Sequence, residues 1–323
     1  MTVKEASRTA VLVCQARAVA DHRLAIGRFS DPVATHLLRD GERAAVERAR
    51  SGTTPDTWRE RLEAALLGRV TALSVSRTVV IDDAVRAKAH PQLVILGAGL
   101  DARAYRLAEL ADVDVYEVDQ PASQQDKRDR IKGLRPVAKS LSHVPVDFSR
   151  DPLGSALASA GHDTATPSTW IWEGVLPYLT KTDVDATLAV IDECSAPGSR
   201  LILTYTAPAQ LRLLGVKRWW LIAVVDSALQ VVMQFVGAWP AENEPYVSSW
   251  DPEAMRTLLT SHNFAVTNDQ DLYPVARQLG MSAQLPRGEG QQPVLREVGR
   301  VAIADKRRVA RAPRVGHNRG QSP

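Results

Sequence analysis

The spacing of apolar and polar positions changes character near residue 90. Residues 7–90 read as mostly helical, with breaking and capping signals at Ser30-Asp31-Pro32 and from Ser51 to Trp58. Short apolar runs then alternate with helical segments. The runs predict strands over Leu93 to Leu96, Val113 to Val118, Val144 to Asp147, Thr169 to Glu173, Arg200 to Tyr205, Phe264 to Asn268 and Arg300 to Ala304. Helices are expected between them, among others over Asp101 to Leu110 and Lys181 to Cys194. Repeated βαβ units imply a mainly parallel sheet covered on both faces, an α/β fold of Rossmann-like type. The organisation that follows is a helical extension over 1–90, a core over 91–305 and a tail over 306–323.

The segment from Thr206 to Trp250 breaks the alternation. It holds Trp219, Trp220, Trp239 and Trp250, four of the seven tryptophans in the chain. The run from Trp219 to Trp239 is long enough to span a bilayer, but Asp226, Gln230 and Gln234 recur every fourth residue and draw a polar stripe along it. An aspartate at the bilayer centre costs about 2.5–3.5 kcal/mol. A helical lid inserted in the core fits better than a membrane helix.

Between the first strand and its helix lies Gly97-Ala98-Gly99-Leu100-Asp101-Ala102, of the form G-x-G-x-x-A. Gly97 allows the sharp turn and Gly99 lets the backbone approach a ligand. Asp119 stands about 20 residues on, at the end of the next strand, where a carboxylate reaches ribose hydroxyls. Together they point to a nucleoside ligand. Asp101 argues against a pyrophosphate, which a carboxylate in the first helical turn would repel. It suits S-adenosylmethionine, which has no phosphate and carries a sulfonium and an ammonium against one carboxylate. Asp101 can equally serve as the N-cap of its helix.

With 323 residues, 45% of them apolar, the chain can bury a sizeable core. The formal charge of +3 hides an asymmetry, because the acid-free tail from Lys306 onward carries +6 and leaves −3 for residues 1–305. A slightly acidic body lacks the basic face of a nucleic-acid enzyme, and the tail reads as disordered. The N-terminal residues show no convincing signal or transit peptide, so the expected location is the cytoplasm. Cys14 and Cys194 are isolated and read as plain buried thiols, not a disulfide or zinc framework. Nothing in the chain sets an oligomeric state.

"SRTVVIDDAV", "VILGAGLDARAYRL", "YEVDQP", "VPVDF" and "WIWEGVLPYL" occur in this order, and they resemble the successive motifs of the leucine carboxyl methyltransferase family. That family belongs to the class I S-adenosylmethionine-dependent methyltransferases, with a bacterial O-methyltransferase branch. The resemblance implies that Arg77 holds the methionyl carboxylate, with a second N-terminal cation for which Arg17 is the nearest match and Arg23 a substitute. It implies that Asp119 binds the ribose, while Glu117, two residues earlier on the same strand face, either assists or orients a neighbouring group. It further implies that Asp147 accepts from the adenine amino group while the Phe148 backbone N–H donates to the ring. Guanidinium suits bidentate carboxylate binding. Glu173, at the carboxyl end of a very apolar strand, is costly to bury without a partner, and the ammonium of the ligand is a reasonable one.

Methyl transfer from a sulfonium is an in-line displacement that needs positioning and exclusion of water, and no metal. An acceptor carboxylate is already ionised at neutral pH and needs no general base. None of the seven histidines sits in a motif that suggests one, and no residue is assigned a catalytic role. The expected activity is methylation of a carboxylate, or a hydroxyl, on an apolar or aromatic small molecule. The rivals are a non-catalytic S-adenosylmethionine-binding protein and a nicotinamide-dependent oxidoreductase, which would leave Asp101 and the ordered motifs unexplained.

Overall fold

The computed structural model describes residues 7–52, 57–148, 150–208, 247–282 and 298–307. The lid expected within 206–250 lies almost wholly outside them, at 209–246, and so does the tail from 308 onward. Three helices open the chain: α1 (Arg8–Ala20), α2 (Asp40–Ser51) and α3 (Trp58–Ala87). The Ser7 hydroxyl caps α1 by accepting from the Thr9 N–H, and α2 stops at Gly52 in the left-handed region, where glycine carries no Cβ penalty.

Seven strands follow: β1 (Gln92–Leu96), β2 (Asp114–Asp119), β3 (Ser140–Pro145), β4 (Ser168–Trp172), β5 (Arg200–Ala207), β6 (Phe264–Asp271) and β7 (Val298–Lys306). They form one sheet in the order β3-β2-β1-β4-β5-β7-β6. Strands β1 to β5 pair in parallel, and β7 runs antiparallel to both β5 and β6. Between the strands run α4 (Arg103–Arg106), α5 (Pro121–Arg130), α6 (Leu153–Ser159) and α7 (Lys181–Glu193), with helices Pro252–Ser261 and Leu272–Gln278 beside β6. A Thr180–Asp183 capping box starts α7.

Every residue of β1 and β4 is buried, as central parallel strands require. On one face Leu93, Ile95, Ile171 and Ile202 join Cys14, Val46 and Ile81 of the N-terminal helices, and Leu37 between α1 and α2, in a single cluster. On the other, Val94, Leu96, Trp170 and Leu203 pack against Leu157, Leu188 and Leu259. Both cysteines are buried free thiols.

Three expectations need correction. The edge strand β3 lies at Ser140–Pro145, ahead of the expected Val144 to Asp147, because an edge strand carrying Ser140, Ser142 and His143 has no continuous apolar run. The helix expected over Asp101 to Leu110 is a four-residue helix followed by a 3₁₀ turn at Ala108–Leu110, since Leu107 leaves helical geometry at ψ 106°. Lys306 belongs to β7 and not to the tail. Its ammonium binds the backbone and side chain of Asp192 and donates to the Ser195 carbonyl at 2.8 Å.

Lys306→Met should therefore lower stability by about 1–3 kcal/mol in chemical denaturation, because those carbonyls lose a charged donor. Lys132→Met should change it by less than about 1 kcal/mol, since Lys132 only pairs with Asp129 on the open surface.

Candidate functional site

β1 delivers the chain into a tight loop at the carboxyl edge of the sheet. Gly97 (φ +65°) and Ala98 both donate to the Val118 carbonyl, at 2.8 and 3.1 Å. A Cβ at 97 would come within 2.4 Å of Val175 Cγ2, so only glycine fits. The Gly99 N–H donates to Asp119 Oδ2 at 2.6 Å, and Asp119 Oδ1 accepts from Gln120 N at 2.7 Å. Each carboxylate oxygen thus keeps a lone pair for a further donor. Burial pushes the Asp119 pKa up, against the lowering effect of the two N–H groups.

Next to the loop lies a chain of ion pairs. Arg103 is 1% exposed. Its Nε donates to Asp82 Oδ1 at 2.8 Å, and its Nη1 donates to Asp101 Oδ2 and, at 2.8 Å, to Glu173 Oε2. The second oxygen of Glu173 accepts from Arg77 Nε at 2.6 Å. Arg106 Nη1 pairs with Asp82 at 2.7 Å and its Nε lies 3.6 Å from Asp31, which also pairs with Arg17 Nε at 3.3 Å. Four guanidiniums face four carboxylates, so the cluster is electrically balanced, as buried charges must be. Burial alone would raise Asp101, but Arg103, Lys127 and Arg17 outweigh it and hold its pKa down at about 2. Glu173 is likewise lowered against burial, by Arg103 and Arg77.

The site residues expected from the sequence fall into four groups. Gly97, Gly99, Asp101, Asp119, Arg77 and Glu173 come together at the carboxyl ends of β1, β2 and β4. Arg17 is buried, and its Nη2 donates to the Leu100 carbonyl at 2.5 Å while its Nε faces Asp31, so it braces the glycine loop from α1. Glu117 is fully buried and accepts from Lys127 Nζ at 2.6 Å, with His143 Nδ1 3.5 Å away. Asp147 and Phe148 follow β3 and are partly exposed. The Asp147 N–H donates to Asp151 at 2.8 Å, the turn-stabilising pattern of a loop acid.

Two expectations about acids change. The N-cap of α4 is Ala102, not Asp101, whose Oδ1 instead accepts from the Arg103 N–H at 2.7 Å. Glu173 needs no ligand to balance its charge, because Arg77 and Arg103 already supply two donors. Sequence reasoning missed Arg103, Arg106, Asp82 and Asp31. Most of their partners are distant in the chain, and no local spacing marks such pairs.

The mainly parallel seven-stranded sheet, with its glycine loop and acid at the carboxyl edge, is the Rossmann-like fold of class I methyltransferases. The model of the leucine carboxyl methyltransferase family matches residues 10–192, more than half of the sequence. The chain belongs to that family. It is 39% identical over 204 residues to a "Putative S-adenosyl-L-methionine-dependent methyltransferase" of Mycolicibacterium vanbaalenii, covering 60% of this chain and 65% of that one. It is 44% identical over 134 residues to a protein of the same description from Streptomyces coelicolor, covering 40% and 47%. The chain thus spans less than two thirds of the length of these relatives. The crystal structure of a DUF574 family protein from Streptomyces avermitilis shares the fold, with a TM-score of 0.53 at 10% identity over 93% of this chain and 98% of that one. The family carries the cofactor assignment, S-adenosylmethionine, and the site fits it. Asp119 retains acceptor capacity of the kind ribose hydroxyls would use, among the described residues Arg77 is tied to Glu173 through its Nε alone, and Gly97 and Gly99 keep the loop free of side chains.

Two outcomes follow from this geometry. Asp101 is more acidic in the folded protein than its ordinary 3.8, so its contribution to stability is full above that pH and is lost as pH falls toward about 2. Asp101→Asn should lower stability at neutral pH and flatten the acid limb of the stability curve over that interval. Gly97→Ala should lower the melting temperature by several degrees, through the Val175 clash and the left-handed backbone. Val175→Ala in the same chain should recover only part of it, since the backbone strain remains.

Proposed function

We propose that this chain is an S-adenosylmethionine-dependent O-methyltransferase of the cytoplasm that methylates a carboxylate, or a hydroxyl, on an apolar or aromatic small molecule. The observation that carries the reading is Asp119, held by Gly99 at the carboxyl end of β2 with lone pairs to spare. A carboxylate so placed accepts from the two ribose hydroxyls of an adenosine. The helix that follows the loop has only four residues, and Asp101 and Glu173 already balance Arg103. A dinucleotide pyrophosphate, which relies on a longer helix N-terminus, finds little there to hold it.

S-adenosylmethionine supplies an electrophilic methyl group on a sulfonium. Asp119 would hold its ribose, Arg77 its carboxylate, and Asp147 with the Phe148 N–H its adenine. These residues bind and orient, which is the main protein contribution to an in-line displacement. The acceptor class is supported by two features of the segment after β5. Its sequence concentrates aromatic side chains, and its described ends lie at the carboxyl edge of the sheet. On return, the Val247 N–H donates to the Pro177 carbonyl at 2.7 Å and the Trp250 N–H to the Thr206 carbonyl at 2.9 Å. An ionised acceptor requires no general base, and the hydroxyl of the half-buried Tyr178, beyond β4, donates to Thr9 Oγ1 at 3.5 Å.

Isothermal calorimetry should show binding of S-adenosylmethionine and S-adenosylhomocysteine and none of NAD. Asp119→Ala should weaken both by roughly 1.5–3 kcal/mol, the scale of a hydrogen bond to a charged group. Tight NAD binding with no response to S-adenosylmethionine would sink the proposal. Incubation with methyl-labelled cofactor and candidate acids should give a mass shift of one methyl, and its absence across acids and phenols would reduce the chain to a binding protein.

A further inference from the structure

Arg103 is the least explained charged residue of the site. It is almost wholly buried and comes from the first residue of a four-residue helix, yet it holds acids from three other places. Asp82 lies on α3, Asp101 in the glycine loop, and Glu173 just past β4. Glu173 has two oxygens and two guanidinium partners. Oε2 accepts from Arg103 Nη1 at 2.8 Å and Oε1 from Arg77 Nε at 2.6 Å. The Glu173 carboxylate is therefore a bridge between a fully buried arginine and a more accessible one, whose side chain is 19% exposed.

The bridge has mechanical consequences. Glu173 precedes Gly174, which sits at φ +72° in an irregular stretch that would leave the acid free to turn. Arg103 fixes one of its oxygens, which fixes where the other can meet Arg77. A planar fork with donors on Nε and Nη1 can serve Asp82, Asp101 and Glu173 together, whereas an ammonium is a point charge on a flexible stem. We propose that Arg103 is a positioning residue: through the Glu173 carboxylate it fixes the direction of the Arg77 guanidinium, and so sets the affinity for the methionyl part of the ligand without touching that ligand. The inference rests on the assignment of Arg77 to the methionyl carboxylate.

The test compares S-adenosylhomocysteine with adenosine, which shares the nucleoside but lacks the amino-acid part. Calorimetry on the full chain gives the ratio of the two affinities for wild type, Arg77→Ala, Arg103→Lys and the double variant. Arg103→Lys should weaken S-adenosylhomocysteine by about tenfold and leave adenosine within about twofold, and its effect on the ratio should vanish in the Arg77→Ala background. Equal losses for both ligands would make Arg103 a mere prop of the fold, and an undiminished effect in the Arg77→Ala background would show that it acts by another route. Either result overturns the proposal. If Arg103→Lys does not fold, Asp82→Asn removes the negative charge facing Arg103 Nε without touching Glu173, and it should show the same dependence on Arg77 at smaller amplitude. The underlying reading fails separately, when wild type binds neither ligand or when Arg77→Ala leaves the ratio unchanged.

Discussion

A guanidinium with 1% of its surface exposed must be matched by carboxylates, and much of the site follows from that requirement at Arg103. Its acids come from α3, from the loop after β1 and from the end of β4, so the pairing closes only when all three are in place. Arg106 extends it to Asp31, and Asp31 to Arg17 on α1. Removing any one member leaves an opposite charge buried and uncompensated, which is far more costly than the net worth of the pair. The N-terminal helices are thereby tied to the sheet twice, through this network and through the apolar cluster that Cys14 and Val46 share with Leu93 and Ile95.

The same arrangement holds the glycine loop in shape before any ligand arrives. Val118 takes two N–H groups from it, Asp119 takes a third, and Arg17 holds the Leu100 carbonyl from the other side. The side chain of Ala10 comes close as well, since a Cβ at Gly99 would lie 3.3 Å from it. A loop fixed this way loses little conformational freedom on binding, so more of the interaction energy is left for affinity. Asp119 fits the scheme. Burial disfavours its charged form, which makes added donors from a ribose worth more than they would be in water.

The parallel core and the glycine loop were legible in the sequence because they depend on local pattern. β1, β4 and β5 are buried on both faces and read as unbroken apolar runs, and Gly97 and Asp119 stand at a spacing set by one βα unit. What stayed hidden depends on distance. Arg103 meets Asp82 across 21 residues and Glu173 across 70, and no periodicity marks such pairs. The same holds for Lys127, which looks like a surface cation of α5 and is instead 2% exposed against Glu117. The edge strands β3 and β6 were misread or cut short for a different reason. Among the described residues one of their sides lacks a neighbouring strand, so polar residues such as Ser142 and Asn268 occupy positions that a central strand would fill with valine or isoleucine.

The placement of the histidines bears on the chemistry. His90 and His162 bond Thr169 and Ser168 at the amino end of β4, the opposite end from Glu173. His262 meets Asp185 at the surface, while His22 and His36 are exposed. His143 stands closer to the site, yet it faces the buried Glu117–Lys127 pair. Burial lowers the pKa of His90 and His162, which keeps them neutral and within their own hydrogen bonds. A phenol or alcohol acceptor gains from a nearby base, and these six imidazoles are engaged elsewhere or stand in solvent. A carboxylate acceptor arrives already ionised, so positioning by Arg77, Asp119 and the loop is the kind of help it needs. Among the described residues, this placement is in keeping with the carboxylate acceptor proposed above.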